Sequence, residues 1–153
     1  MNKTTIAATA LAFTALALPT TPGIAQATTV NSPGTISTAA VDGYFYAWEN
    51  RDHSGDWCRW PSGVDDPDWS TCSGSSPNVN MNGKASALAN LGYPGTYDDV
   101  DLYFSSNYLG SGMCVRNGLY ISLLTVYFPW DGKRGQGQWA NDNITSHRWS
   151  NNC

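Results

Sequence analysis

The chain has 153 residues, with eight basic and twelve acidic side chains and a formal net charge of −4. An acidic chain without a lysine or arginine cluster is poorly suited to nucleic acid or to anionic lipid, whose phosphates would repel it. Charged residues make up only 13% of the chain, whereas Gly, Asn, Ser, Trp and Tyr are abundant. This composition is typical of a turn-rich β protein.

The first 27 residues have the pattern of a secretory signal peptide. Lys3 precedes an apolar run at 6–18, which Pro19 and Pro22 interrupt, and residues 25–27 (Ala-Gln-Ala) form a small-x-small cleavage site. The apolar run is shorter than the roughly 20 residues that span a membrane. We therefore expect a secreted, extracellular protein with no membrane partner.

The rest of the chain predicts a leader and one domain. Residues 28–41 are rich in Ser, Thr, Pro and Gly, a composition that favours a flexible segment. Residues 42–153 are numerous enough for a single hydrophobic core. We expect this domain to be a monomer.

Along the domain, short apolar and aromatic runs alternate with turn signals. Strand-like runs at 44–48 and 55–60 predict a first hairpin, and runs at 100–104 and 112–115 predict a second. Residues 119–128 form the longest β-branched and apolar run, and 84–91 is the one stretch where a helical turn competes with a strand. Many short strands separated by Asn-Gly, Asp-Gly and Ser-Gly turns predict an all-β sandwich or barrel.

The four cysteines all follow the signal peptide, and an even number in a small exported chain indicates disulfides. Four cysteines allow three pairings. If each half of the domain keeps its own bridge, the pairs are Cys58–Cys72 and Cys114–Cys153. Each bridge would contribute roughly 2–4 kcal/mol by restricting the unfolded chain.

One pattern occurs twice in the domain. Trp48 stands seven residues before Gly55, and Tyr103 stands seven residues before Gly110. Each segment is followed by a polar stretch that ends in a hydroxyl side chain, at 82–86 and at 141–146. Because so short a repeat cannot make two domains, it predicts two halves that share one core.

The repeat resembles the βγ-crystallin domain, in which each of two Greek keys carries an aromatic-x6-Gly hairpin and a later clamp, Asn/Asp-Asn/Asp-x-x-Ser/Thr-Ser. The second clamp, at 141–146, matches at every defined position. The first, at 82–87, has Gly83 for the second Asn/Asp and Ala87 for the final Ser. The resemblance implies a βγ-crystallin-like sandwich with keys at about 42–92 and 98–153.

The hairpin motifs imply structural roles. Gly55 and Gly110 would permit a positive φ at the fold of each hairpin. Trp48 and Tyr103 would pack across the folded loop and bury apolar area.

The clamps imply a calcium site, because calcium-binding relatives use clamp and hairpin oxygens as ligands of this hard cation. Asn141, Asp142 and Thr145 would form the better half-site, and Asn82 with Ser86 the poorer one. The alternative is that Ser86 and Thr145 simply hydrogen-bond the hairpin or a turn. We expect no required cofactor, and Ca²⁺ is the one candidate ligand.

The chain also resembles small exported bacterial peptidase inhibitors of the metalloproteinase-inhibitor type, which have a crystallin-like fold. This implies a rigid loop presented to an extracellular protease. Two loops are candidates, and ordinary surface loops are the alternative for both: 65–69, with Asp66 and Pro67, and 128–135, with Phe128, Pro129, Trp130, Asp131, Lys133 and Arg134.

Enzymatic activity is not expected. His53 takes the position that Tyr108 fills in the other half, which favours a packing role, and we expect His147 on the surface. No Gly-x-Ser-x-Gly or His-Glu-x-x-His motif is present. A Ca²⁺-binding module or a killer-toxin-like antimicrobial protein is the alternative to an inhibitor. We expect most of the seven tryptophans to lie in the core, as is usual in a small β domain.

Overall fold

The computed structural model describes residues 40–153, so the signal peptide and all but the last two residues of the leader lie outside the described part. Within this range, seven strands form two antiparallel sheets. Their bounds are β1 Tyr44–Trp48, β2 Trp57–Pro61, β3 Ala87–Leu91, β4 Asp99–Ser105, β5 Leu109–Val115, β6 Tyr120–Ser122 and β7 Ser146–Ser150. A 3-10 turn, Leu123–Thr125, follows β6.

The two halves of the chain have equivalent strand orders, and each half also contributes one segment that pairs with a strand of the other half. The first sheet has the order β2-β1-β3-β6, and the second has the order β5-β4-β7. In each half the first strand therefore lies between the second and the last. β6 comes from the second half but pairs with β3, while Asp66 of the first half pairs with His147 of β7. The predicted all-β sandwich of two Greek keys is confirmed by this topology.

A single hydrophobic core lies between the sheets, built from the alternate residues of each strand that face inward. In β1, for example, Phe45 and Ala47 are fully buried, whereas their neighbours Tyr44, Tyr46 and Trp48 are only half-buried. Both sheets contribute to the same cluster, which includes Phe45, Ala47, Leu88, Val100, Leu102 and Val115. The repeat thus encodes two halves around one core.

The structure decides two regions whose local structure the sequence left open. Residues 87–91 form a fully buried strand, so the helical alternative at 84–91 is wrong; the strand is central and covered on both faces. The run at 119–128 is not one strand. Only Tyr120–Ser122 pairs, and the 3-10 turn buries Leu123 before the chain continues to a buried Phe128. No helix in the described part is long and apolar enough to cross a membrane.

The disulfides are Cys58–Cys72 and Cys114–Cys153, one within each half, and no described cysteine is free. The pairing in which each half keeps its own bridge is therefore confirmed. The first bridge is buried, whereas Cys153 is exposed. Two disulfides are typical of a protein that folds in an oxidising compartment.

Candidate functional site

The second hairpin is closed by a hydrogen-bonded serine. Tyr103 and Tyr108 meet edge to face, with ring centroids 5.9 Å apart, and Gly110 has φ +82°. The Ser146 hydroxyl accepts a hydrogen bond from the Tyr108 backbone N–H (3.2 Å) and donates one to the Ser105 carbonyl (2.8 Å). Ser146, the last residue of the clamp, therefore fastens the folded hairpin.

The first hairpin has the same backbone but a different closure. Trp48 meets His53 edge to face at 4.8 Å, Gly55 has φ +77°, and His53 has φ 63° where Tyr108 has φ 61°. Ala87 stands where the second half has Ser146, so no hydroxyl is available at that position. Tyr120 from the second half packs against His53 instead, at 5.4 Å. The packing role predicted for His53 is consistent with these contacts.

The two clamps are joined to each other by backbone hydrogen bonds. The Gly83 N–H donates to the Ile144 carbonyl (3.0 Å), and the Asp142 N–H donates to the Ala85 carbonyl (3.1 Å). Gly83 and Asp142 occupy equivalent positions and both have positive φ, 62° and 58°. The second residue of each clamp therefore hydrogen-bonds to the clamp of the other half.

This crossing gathers oxygen donors into one open pocket of about 540 Å³. Glu49 and Asn50 come from the first hairpin, Ser86 from the first clamp and Asp142 from the second clamp. The donor set is two carboxylates, an amide and a hydroxyl, which are ligand types that Ca²⁺ prefers. Lys84 also lines this pocket, which we call the clamp pocket.

The electrostatics of the clamp pocket show an uncompensated negative charge. Partial burial raises the pKa of the Asp142 carboxyl, and the nearby charge of Glu49 raises this pKa further, while the hydrogen bond from Asn141 lowers it. Lys84 is exposed and forms no ion pair within the described residues. A cation bound between the two carboxylates would relieve their repulsion.

The equivalent positions in the other half carry no carboxylate. Phe104 replaces Glu49, Ser105 replaces Asn50, and Gly83 replaces Asp142. Three buried oxygens on this side have no hydrogen-bond partner: Ser105 Oγ, Asn141 Oδ1 and Thr145 Oγ1. The residues of the predicted better half-site therefore do not lie together: Asp142 lines the clamp pocket with Ser86, and Thr145 lies outside that pocket.

The remaining predicted calcium ligand, Asn82, lies outside the clamp-pocket lining. Its amide donates to Asp68 Oδ1 at 2.8 Å, which ties the first clamp to the 65–69 segment. Among the described residues, the one group of three His, Cys, Asp or Glu side chains that converge is Asp99 with Cys114 and Cys153. The two sulfurs of that group are bonded to each other, so the group cannot coordinate a metal through thiolates.

The two inhibitory-loop candidates differ in accessibility. In the 65–69 segment Trp69 is fully buried and Asp66 pairs with His147, so this segment lies along the second sheet; Pro67 is exposed. In the 128–135 loop Phe128 is buried and acts as an anchor, and Trp130 is 82% exposed. Pro129, Asp131, Lys133 and Arg134 are also exposed.

The 128–137 segment is held firmly at several points. Backbone hydrogen bonds join Phe128 to Gln138 (2.9 Å), Gly137 to Phe128 (3.1 Å) and Ser111 to Arg134 (2.8 Å). The Trp130 ring lies directly against Gly137, where a Cβ would meet it at 2.3 Å. The loop therefore presents Trp130, Lys133 and Arg134 on a rigid backbone.

His147 is fully buried, so its predicted surface position is wrong. Its Nδ1 accepts a hydrogen bond from Trp69 Nε1 (2.9 Å), which places the proton on Nε2, and Nε2 donates to the Val64 carbonyl (3.1 Å). Burial lowers the pKa of His147 to about 3. The imidazole is neutral at physiological pH and serves as a polar link within the core.

Sequence reasoning missed Glu49 and Asn50 as members of the clamp pocket. Glu49 is the only glutamate of the chain and directly follows the hairpin tryptophan. Its Oε2 accepts a hydrogen bond from the Asp56 N–H (3.4 Å), so its place beside the motif indicates a role in closing the hairpin but not a pocket shared with the second clamp.

No protein-family model matches the chain, and no curated protein sequence matches it. Among solved structures, one described by the words "Evolution of the eye lens beta-gamma-crystallin domain fold" is similar, with a TM-score of 0.48 and 16% identity. The match covers 75% of this chain and 91% of that chain. None of these comparisons links the chain to peptidase inhibitors, so inhibition stays a prediction.

Proposed function

We propose that this protein is an exported, disulfide-bonded β-sandwich that binds one Ca²⁺ ion in the clamp pocket. The observation that carries the proposal is the convergence of Glu49 and Asp142, from opposite halves, on one pocket that also holds the Ser86 hydroxyl. Burial raises the pKa of the Asp142 carboxyl and the charge of Glu49 raises it further, so a cation that bridges the two carboxylates would stabilise their charged forms.

The same pocket predicts modest affinity. Two carboxylates are few for a calcium site, and affinity depends on the number of charged ligands and on their rigidity. The Lys84 ammonium opposes a bound cation, although its exposed side chain can turn toward solvent. We expect calcium to act chiefly as a ligand that stabilises the native state and locks the two halves together.

Thermal unfolding with millimolar Ca²⁺ or with a chelator tests this proposal. We expect the Tm of the wild type to rise with Ca²⁺, and Asp142→Asn and Glu49→Gln to remove the rise. In chelator, Asp142→Asn should not lower the Tm at neutral pH, because a raised folded-state pKa means that the charged carboxyl disfavours folding above that pKa.

Asp52→Asn is the matched control, since it removes the same charge from an exposed position in the same hairpin. Lys84→Met should increase calcium affinity several-fold by removing the opposing charge. An unchanged Tm in the wild type, or an Asp142→Asn variant that responds to Ca²⁺ like the wild type, would sink the calcium proposal.

Peptidase inhibition is the second candidate function, and the exposed, rigid 128–137 segment favours it. A loop that is already ordered loses little entropy on entering a protease cleft. Trp130 would serve as an aromatic anchor, a residue type that often dominates binding energy, and Lys133 and Arg134 would add charge complementarity. The 65–69 segment is a weaker candidate because Asp66 and Trp69 are held in the sheet and the core.

A panel of metallo-, serine and cysteine proteases tests inhibition. We expect micromolar wild-type protein to inhibit at least one of them, and Trp130→Ala or Arg134→Ala to weaken inhibition about tenfold or more. Tyr97→Ala, which removes another exposed aromatic ring, should leave inhibition unchanged. If no protease in the panel is inhibited, or if Trp130→Ala inhibits as strongly as the wild type, this loop has no such function.

A further inference from the structure

A second pocket, of about 500 Å³, shares no lining residue with the clamp pocket or with the 128–137 segment. It lies beside β1 and β2 and is bounded by the segment that the Cys58–Cys72 bridge fastens to β2. We call it the β2 pocket. Its lining includes Tyr44, Arg59, Trp60, Asp66, Thr71 and Asn78.

The walls of the β2 pocket are held in place by the backbone. Cys72 and Val79 exchange both backbone hydrogen bonds, at 2.9 and 3.0 Å, and the Arg59 N–H donates to the Ser73 carbonyl (2.9 Å). Asp66 is fixed by Trp60 Nε1, which donates to Oδ2 (2.7 Å), and by the Asp68 N–H, which donates to Oδ1 (2.9 Å). The pocket is therefore preformed, which lowers the entropic cost of binding.

The polar groups of the β2 pocket are available to a ligand. The Thr71, Ser73 and Asn78 side chains are exposed and make no hydrogen bond within the described part of the chain. The Arg59 guanidinium has no ion-pair partner among the described residues and lies 4.4 Å from the centroid of the Tyr44 ring. These groups supply hydroxyl, amide and guanidinium hydrogen bonds around an aromatic wall.

The aromatic wall continues beyond the pocket along the outward face of the four-stranded sheet. Tyr44 and Tyr46 are 6.0 Å apart by ring centroids, Tyr46 and Trp48 are 5.2 Å apart and stacked, and Trp48 and Tyr120 are 6.5 Å apart. All four side chains are partly exposed. Ala89, between Tyr46 and Tyr120 on neighbouring strands, adds no bulk to this face.

The mixture of groups points to one chemical class of ligand. Asp65 and Asp66 disfavour an anion, but their carboxylates already accept hydrogen bonds from the Trp149 N–H (2.8 Å) and from Trp60 Nε1 (2.7 Å), and Arg59 opposes a cation, so neither charge is favoured. A ligand with many hydroxyls and with apolar C–H faces suits both the free hydrogen-bonding groups and the row of rings. We propose that the β2 pocket and the adjoining aromatic row bind a neutral glycan, with one sugar in the pocket and neighbouring sugars along Tyr46 and Trp48.

A depletion assay with insoluble polysaccharides tests the proposal. The protein is incubated with chitin, with cellulose and with an insoluble β-1,3-glucan, and the unbound fraction is measured; cross-linked pectin serves as the anionic comparison. We expect at least one neutral polysaccharide to deplete the wild type. Tyr44→Ala should weaken this binding about tenfold or more and Asn78→Ala about threefold or more.

Tyr97→Ala removes an exposed tyrosine outside the pocket and should bind like the wild type. Asn78→Ala keeps the test valid if Tyr44→Ala fails to fold, because Asn78 is exposed and makes no hydrogen bond within the described residues. The proposal is overturned if no neutral polysaccharide binds, if pectin alone binds, or if a folded Asn78→Ala variant binds like the wild type. Loss of binding in Trp130→Ala alone would assign the activity to the 128–137 segment and would also overturn it.

Discussion

The first and second hairpins share one backbone path but are closed by different chemistry. In the second, the Ser146 hydroxyl bonds the hairpin backbone on both sides, at 3.2 and 2.8 Å. In the first, Ala87 offers no hydroxyl, and the Tyr120 ring from the other half packs against His53. A duplicated motif therefore needs a positive-φ glycine and a cross-loop aromatic in both copies, whereas its fastening can be a hydrogen bond or a hydrophobic contact.

Removing the disulfide of each half in turn should give the largest effects. By loop length alone, the Cys58–Cys72 bridge, with a separation of 14 residues, contributes about 3 kcal/mol and the Cys114–Cys153 bridge, with a separation of 39, about 4 kcal/mol. However, Cys58 and Cys72 are buried, and serine at position 58 would add an unsatisfied hydroxyl at about 1–3 kcal/mol, whereas serine at position 72 would have the Val79 carbonyl as an acceptor.

We therefore expect the Cys58→Ser/Cys72→Ser double variant to be less stable than Cys114→Ser/Cys153→Ser in urea unfolding. The opposite order would mean that loop entropy outweighs burial in this fold. Full reduction of the wild type provides the reference in which both bridges are lost.

Substitution of the two hairpin glycines should give the next largest difference in stability between the halves. A Cβ on Gly110 would meet the Arg134 backbone carbonyl at 2.8 Å, whereas a Cβ on Gly55 would meet the end of the Asn50 side chain at 2.7 Å. A side chain can move, so we expect Gly110→Ala to cost about 2–3 kcal/mol and Gly55→Ala about 1–2 kcal/mol. Gly118→Ala, at φ +79° with open space around it, measures the backbone cost alone in the same denaturation series. Equal losses of stability in Gly55→Ala and Gly110→Ala would mean that a clash with a backbone carbonyl costs no more than a clash with a movable side chain.

His147 should make the second half sensitive to acid, since the equivalent position in the first half is Leu88. At neutral pH, His147→Leu should cost about 1–3 kcal/mol because Trp69 Nε1 loses its acceptor, whereas the Val64 carbonyl keeps a second donor in Trp149 Nε1 (3.1 Å). The folded-state pKa of about 3 lies below the usual 6.5, so the stability linked to neutral His147 is present above pH 6.5 and is lost as the pH falls toward 3.

By pH 5 the wild type should lose roughly 2 kcal/mol through this group alone, which His147→Leu cannot lose. Urea unfolding at pH 7.5 and at pH 5 should show the difference between the two proteins shrinking or reversing. A constant difference would mean that His147 does not control the response to acid.

Exchanging the fastening residues should give the smallest effect. Ser146→Ala should cost about 1 kcal/mol, because two backbone groups lose their partner. Ala87→Ser should add no stability, since the His53 N–H of the first hairpin already donates to the Asn50 carbonyl at 3.1 Å. Thermal unfolding of the two variants is sufficient, and a rise in Tm for Ala87→Ser would show that the first hairpin was inadequately fastened.

The architecture was predictable because its determinants are local. Gly55 and Gly110 indicate a positive φ at the fold of each hairpin. The buried and half-buried residues alternate along 44–48, as expected for a strand with one face toward the core. The paired cysteines followed from the same repeat. The strand at 87–91 was ambiguous because a strand buried on both faces loses its alternation, and KASALANL then fits a helix as well.

The clamp pocket was predictable only in part, because its residues come from both halves of the chain and lie together only in the folded structure. The clamp residues were identifiable by motif, but nothing local indicates that Asp142 lies with Glu49 and Ser86 instead of Thr145. The burial of His147 also depends on a distant segment, since Trp69 and Val64 supply its hydrogen bonds. Contacts of this range are set by topology, which residue spacing does not encode.

The reciprocal placement of β6 and the Asp66 segment gives this single chain the connectivity of a domain-swapped dimer whose two copies have been fused. Either half expressed alone would leave an open sheet edge, at β3 or at β7, ready to pair with another molecule. The isolated halves are therefore expected to dimerise or aggregate, and the two fragments mixed together should reassemble.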